Sequence, residues 1–437
     1  MLSTIQSKLS SMTERNINFS DIMNRGFKLI QIFSARLRYS IDDYEQRQIP
    51  RTFRTLRLAI WTTMNAWATL LTFYFVIFFN NNNHLLINLN ILELISNTKR
   101  LDLFFMAILI IFIIMEIMWL ELFQRILFYQ SPMNDFLIVC FQYNEKKLRQ
   151  KYRKFLIDFH IISNLVGICL YSISTVIILL MSLIYAIYMI EVYLNHTISM
   201  IQMIVTTIIF IPVFVHIIFI LGQIFLAINF LVFLIEFLKK RFEQLANISN
   251  TIYVSFNKKT EYGIILFNRF RYNYIQLFKE TKRFNGTISF LLLYMETGSK
   301  AWSIIFCIFY SQQIQMNLIA FISGFILISL YFFMIGLYSR LAQMPLNNQL
   351  CRRRLAFWMA EQSRYWNKFK HRNYHQQKCI RILMIKLNFF IQIMAHNRFG
   401  FTCGRLFFIT KFKYIELFLM NVPIIMLFYR KICMMDN

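Results

Sequence analysis

The chain has no glycine-rich phosphate loop, no Gly-x-Ser-x-Gly elbow and no Cys-x-x-Cys pair, which sets aside the enzyme classes those motifs serve. Acidic residues are scarce, 21 Asp and Glu against 47 Lys and Arg, for a formal net charge of +26. Met1–Ser20 is polar and lacks the apolar core of a cleavable signal, so the first apolar stretch is expected to target the chain itself. No internal repeat is evident, which weighs against the repeat architectures of many secondary transporters.

Apolar sequence, by contrast, is abundant: 57% of the 437 residues are hydrophobic and 17% aromatic, high for a soluble domain. Seven apolar stretches are long enough to cross a bilayer: Leu58–Phe79, Leu103–Phe123, Leu165–Ile190, Ile201–Leu238, Thr287–Phe309, Asn317–Tyr338 and Phe408–Tyr429. Each has at least about 20 residues, which as helix spans a hydrocarbon core of about 30 Å.

The basic residues are segregated by these stretches. The segment up to Arg57 and the second, fourth and sixth gaps together hold 38 of the 47 Lys and Arg. Positive charge is costly to translocate, so these regions are expected in the cytoplasm, with the N-terminus inside and the C-terminus outside. That orientation excludes G-protein-coupled receptors, whose N-terminus is external. It also gives the charge a membrane meaning, contact with anionic headgroups, in place of nucleic-acid binding.

The expected organisation is an all-α fold, a seven-transmembrane helix bundle in the plasma membrane. Residues 1–57 form a cytoplasmic segment, 58–429 the seven-helix region, and 430–437 an extracellular tail. Cytoplasmic extensions cover 239–286 and 339–400. Lys239–Arg283 interleaves aromatics with charges, has no proline and one glycine, and reads as helix continuing beyond the membrane. The fourth stretch exceeds the length of one crossing and is expected to run on as well, kinked at Pro212. Arg340–Lys386 reads the same way after Pro345. Packed together, these extensions predict an intracellular helical layer. The outer gaps are short, so an external ligand has to be small and enter between helices.

Of the seven cysteines, Cys140, Cys351, Cys379 and Cys403 fall on or near the cytoplasmic side, Cys169 and Cys307 lie in spans, and Cys433 lies outside. No pair is placed for an extracellular disulfide, and the fold has to rely on helix packing. Asn195-His196-Thr197 is the one glycosylation sequon on the outer side; those at Asn18, Asn247 and Asn285 should stay bare. The run Asn80–Asn83 reads as a solvated outer turn.

Catalytic and metal chemistry find little support. His371-x-x-x-His375 has metal-ligand spacing on a helix, but it stands alone among like charges. No cofactor, metal site or enzymatic activity is expected. Polar residues within the spans are more informative, because a charge in hydrocarbon is expensive. Glu296 and Lys300 are four apart and can pair on one helical face. Glu116 and Glu121 lie toward the inner end of the second span, with Arg125 four residues beyond Glu121. His216 and Gln223 in the fourth span are candidates for interhelical hydrogen bonds or a ligand contact. The last stretch follows a glycine-containing break, Arg398–Phe407, and carries Lys411, Lys413 and Glu416 in its first half, then Asn421, Pro423 and Tyr429.

Seven helices, an internal N-terminus, short outer loops, helical cytoplasmic gaps and this break resemble the arthropod gustatory and odorant receptors. The resemblance is architectural over the chain and local at two places: Asn285 in Phe284–Phe290 is similar to the asparagine ahead of the family's fifth helix, and Phe401–Phe407 to the segment before its seventh. The family's last helix carries Thr-Tyr, five apolar residues, then Gln-Phe. Here the matching stretch is Asn421-Val422, then Pro423–Leu427, then Phe428-Tyr429, so the spacing is kept while Thr-Tyr and Gln are replaced.

The resemblance implies a ligand-gated, non-selective cation channel subunit responding to small molecules, with a homo- or hetero-tetramer around a pore lined by the last helix. By position, Ile425 and Phe428 would form the constriction; three apart on one helical face, such apolar rings gate by dewetting. The family's pocket lies among the outer helix halves, where Tyr185, Tyr188, Met203 and Thr207 are the candidate ligand contacts. The partners implied are a small-molecule ligand, membrane lipid and further subunits, with no nucleic acid. A secondary transporter and a non-conducting membrane protein are the alternative readings.

Overall fold

A computed structural model describes residues 18–79, 101–195, 199–254, 260–311, 333–368, 374–413, 415–416, 419 and 426. The described chain is helical apart from one pair of two-residue strands.

The N-terminal segment is folded from Phe19 onward. Helix α1 (Phe19–Leu29) buries Phe19, Ile22, Met23, Gly26 and Phe27, the spacing of one helical face. It continues as a π-helical turn, Ile30–Ala35, which ends at Arg36 in the left-handed region, φ 52°. Gly26 permits the docking: a Cβ there would come within 2.1 Å of the Phe230 ring. After α2 (Ile41–Glu45), started by a Ser40–Asp43 capping box, come α3 (Phe53–Phe79) and α4 (Leu101–Leu127). Short α5 (Pro132–Phe141) begins at Ser131, whose hydroxyl accepts from the Asn134 amide, with Pro132 at the first helical position.

Helix α6 (Gln150–Leu194) has 45 residues. Helices α7 (Met200–Gly222) and α8 (Ile228–Val254) form one rod with a π-turn, Gln223–Ala227, between them. The long fourth apolar stretch therefore does run on as helix. Pro212 lies inside α7, and a second departure from the α-helical ladder, the π-turn, comes at Gln223. Helix α9 (Thr260–Ser311) runs 52 residues, joining the fifth apolar stretch to its charged extension. Of the sixth, residues 333–338 are described and are helical. Helices α10 (Gln343–Lys368) and α11 (Tyr374–His396) follow, then strands β1 (Thr402–Cys403) and β2 (Phe407–Phe408), paired antiparallel with Thr402 opposite Phe408. The last stretch, read from Phe408, is thus helical only from Lys411.

One aromatic core joins α1, α5, α8, α9, α10, α11 and the hairpin. Phe136 stacks on Phe284 at 4.4 Å, Phe242 on Phe399 at 4.4 Å, and Phe390 meets the Tyr274 ring edge-on at 5.5 Å. Two described helices are long and apolar enough to cross a membrane, Gln150–Leu194 and Met203–Val254.

Candidate functional site

Tyr185 and Tyr188 sit on α6, Met203 and Thr207 on α7, and these two helices pack together. All four side chains are half-buried. The Tyr185 ring lies 4.7 Å from that of Phe210 and 6.2 Å from that of Phe214, so it reaches the neighbouring helix. The Thr207 hydroxyl donates to the Met203 carbonyl at 2.9 Å, which leaves its lone pairs as the hydrogen-bonding capacity it can offer elsewhere. Ile425, Phe428 and His371 lie outside the described residues.

The base of the last helix is built in detail. Asn285 on α9 accepts from the Thr402 backbone N–H at 2.9 Å and donates to the Thr402 hydroxyl at 3.2 Å. The Gly404 N–H donates to the Ser289 carbonyl at 2.7 Å, one turn along α9. Gly404 holds φ 56°, and a Cβ there would come within 2.8 Å of the Leu293 side chain, so the tight hairpin turn needs glycine on both counts. Cys403 is fully buried, which pushes its thiol above the usual range despite a bond from the Tyr338 hydroxyl at 3.6 Å. The two places singled out in the sequence, Asn285 and Phe401–Phe407, are thereby one structural unit. Beside the hairpin a cavity of about 400 Å³ is lined by Arg352, Arg398 and Lys411 together with Asn348 and Phe412.

No family model matches the sequence, and no curated protein does. Among solved structures, the chain is similar to the insect olfactory receptor OR5 of Machilis hrabei in complex with eugenol. The TM-score is 0.56 at 10% identity, over 95% of this chain and 98% of that one. The fold is that of an insect olfactory receptor. At this identity the olfactory-receptor likeness extends to the course of the chain, and the chemistry has to be read from the residues present.

Within the olfactory-receptor fold one buried cluster escaped the sequence reading. Arg36, 2% exposed, binds Glu116 with both terminal guanidinium nitrogens, Nη1 to Oε2 at 2.9 Å and Nη2 to Oε1 at 2.7 Å. Its Cζ lies 4.4 Å from the Trp119 ring centroid and 5.3 Å from that of Phe219. His216, also buried, places Nε2 3.8 Å from Glu116 Oε1 and packs edge-on against Phe112. The bidentate fork and the aromatic faces are what allow a guanidinium to be buried. The N-terminal segment is thus pinned to α4 and α7. Glu116 inside an apolar stretch was the available signal: Arg125 lies one turn from Glu121, and Glu116 still demands a cation of its own.

Other polar residues behave as their spacing suggested. Lys300 Nζ lies 3.1 Å from Glu296 Oε1, and Arg125 pairs with Glu121 one turn back. Near the N-terminal segment, burial pushes the Tyr39 phenol well above its usual range, partly opposed by its bonds with Asn134. Tyr44 is pushed up to about 12 by burial, partly opposed by its hydrogen bond to the Ser131 carbonyl.

Proposed function

We propose that the chain is a chemoreceptor subunit: a ligand-gated, non-selective cation channel of the taste and odour type, opened by small molecules. The observation that carries this reading is the end-to-end likeness of its fold to an olfactory receptor, 95% of one chain on 98% of the other. The segregation of Lys and Arg into alternate gaps and the two long apolar helices support a seven-span protein of the plasma membrane with a cytoplasmic N-terminus. In this reading four subunits, alike or mixed, surround a pore lined by the last helix. Ile425 and Phe428 form its apolar constriction, and the ligand sits against Tyr185, Tyr188, Met203 and Thr207. The chain is not an enzyme.

The Asn285–Thr402 junction gives the mechanism its fixed point, because it ties the entry of the last helix to α9. A ligand that binds the open arrangement more tightly than the closed one shifts the population toward conduction. The test is expression of the fluorescently tagged chain, with photobleaching steps counted and currents recorded during exposure to a panel of small organic molecules. Four steps and an evoked cation current altered by Ile425→Ala or Phe428→Ala are expected. An evoked current that neither substitution changes overturns the pore assignment, and one or two steps favour a transporter or a subunit that assembles only with a partner.

A further inference from the structure

We infer that the chain carries a second small-molecule site, separate from Tyr185 and its neighbours, in a cavity between the N-terminal segment and the inner ends of α4 and α9, and that it takes a small uncharged alcohol or phenol. The cavity measures about 80 Å³. A single water needs only about 10–15 Å³ of such space, so there is room for an organic molecule of modest size. Its walls are mostly apolar, Met118, Trp119 and Leu122 from α4 and Leu291 and Tyr294 from α9.

One polar group within it is left without a partner. Gln223 lines the cavity and is 8% exposed, so its amide is a polar group in an otherwise apolar wall. The Thr287 hydroxyl, also in the wall, is buried with no hydrogen-bond partner. Buried polar groups are nearly always satisfied, so a hydroxyl idle in an apolar cavity beside the Gln223 amide points to an occupant that bonds it. The backbone aims at the same place: Gln223 opens one π-turn, while Ile30 and Ser34 reach the cavity from the other, and the two turns pack together. Single π-turns recur where a helix has to re-aim side chains at a functional site.

The charge of the occupant follows from the rim. Arg125 is already paired with Glu121, and its Cζ lies 4.9 Å from the Phe290 ring centroid, so no free charge faces a ligand. A hydroxyl can donate to the Gln223 carbonyl and accept from Thr287, while an apolar body fills the remainder.

The test uses the full-length chain purified in detergent and a photoactivatable aliphatic alcohol bearing a diazirine, with benzyl alcohol as competitor and adducts mapped by peptide mass spectrometry. Adducts on Met118–Arg125 and Thr287–Tyr294, displaced by benzyl alcohol, are expected. Gln223→Leu should raise the competing concentration about three- to tenfold, the worth of one hydrogen bond. Leu291→Trp should abolish labelling by filling the space, and Tyr185→Ala should leave it unchanged. Absence of wild-type adducts from both segments overturns the site. Labelling that is lost in Leu291→Trp but indifferent to Gln223→Leu overturns the alcohol assignment in favour of an acyl chain. This site rests on the chemoreceptor reading only for its setting; because the readout is binding, labelling as expected leaves the site standing whatever the current recordings return.

Discussion

Helices α6 and α8 are both long and both rich in large apolar side chains, yet they bury them in opposite ways. Only 6% of the most apolar stretch of α6 is inside the protein, and residues such as Leu179, Leu183 and Ile187 are more than half exposed. Helix α8 buries Phe230, Phe233, Phe237 and Phe242 almost completely. Apolar content alone therefore does not say what a helix packs against. The α6 surface suits a solvent of acyl chains, where exposure costs nothing, while the α8 surface is covered by α10, α9 and the N-terminal segment. Stability in this molecule comes from the aromatic layer, and α6 contributes apolar surface for an environment outside the protein.

The sharpest way to break that contrast is to truncate the buried side. Phe242→Ala removes a ring stacked on Phe399 and should cost about 3–5 kcal/mol, seen as loss of a monodisperse species or a large fall in Tm. Arg36→Ala should be nearly as severe, about 3–5 kcal/mol, because it strands Glu116 in an apolar interior. The pair Arg36→Met with Glu116→Leu should recover most of that loss, and failure to do so would mean that the ion pair has a role beyond neutralisation.

On the exposed side the pattern reverses. Leu179→Ala should change Tm by less than about 0.5 kcal/mol in equivalent stability. Leu179→Lys should instead reduce membrane insertion by about 3 kcal/mol, measured as the glycosylated fraction of a reporter fusion. Equal tolerance of Ala and Lys there would show that α6 faces water. Asn285→Ala lies between the extremes: losing the bonds to Thr402 should cost about 1–3 kcal/mol and loosen the start of the last helix, read as a shifted ligand dose-response.

The smallest expected effect is one of pH. Tyr44 is held protonated in the fold, up to about 12, so its contribution is complete below the ordinary phenol value near 10 and is lost as pH rises from there through 12. The fall in Tm between pH 10 and 12 should be shallower in Tyr44→Phe than in the parent chain.

Helical character and the continuation of α8 and α9 beyond the apolar stretches were legible because each is a local property, whereas Asn285 and Phe401–Phe407 stood out through the family resemblance. Periodicity and the absence of proline extend a helix, and glycines mark a turn. The π-turn at Gln223 was not legible, since Pro212 carries the stronger local signal and the extra residue in the turn is fixed by what packs on it. Nor was the hairpin, whose two-residue strands are held by contacts with α9 more than by propensity.

Arg36 shows the limit most plainly. In the sequence it is one of ten basic residues before the first apolar stretch, indistinguishable from Arg38 or Arg51 as a topology signal. Its partner lies 80 residues away, and only the docking of the N-terminal segment brings the two together.

From sequence alone came the helical elements of this protein and the segregation of its charge into alternate gaps, because helix formation and charge pattern depend on neighbours along the chain. Tertiary structure alone decided which glutamate is neutralised by which arginine, which aromatic rings stack, and that Asn285 holds Thr402. Those are pairings between distant residues, fixed by packing that no local pattern encodes.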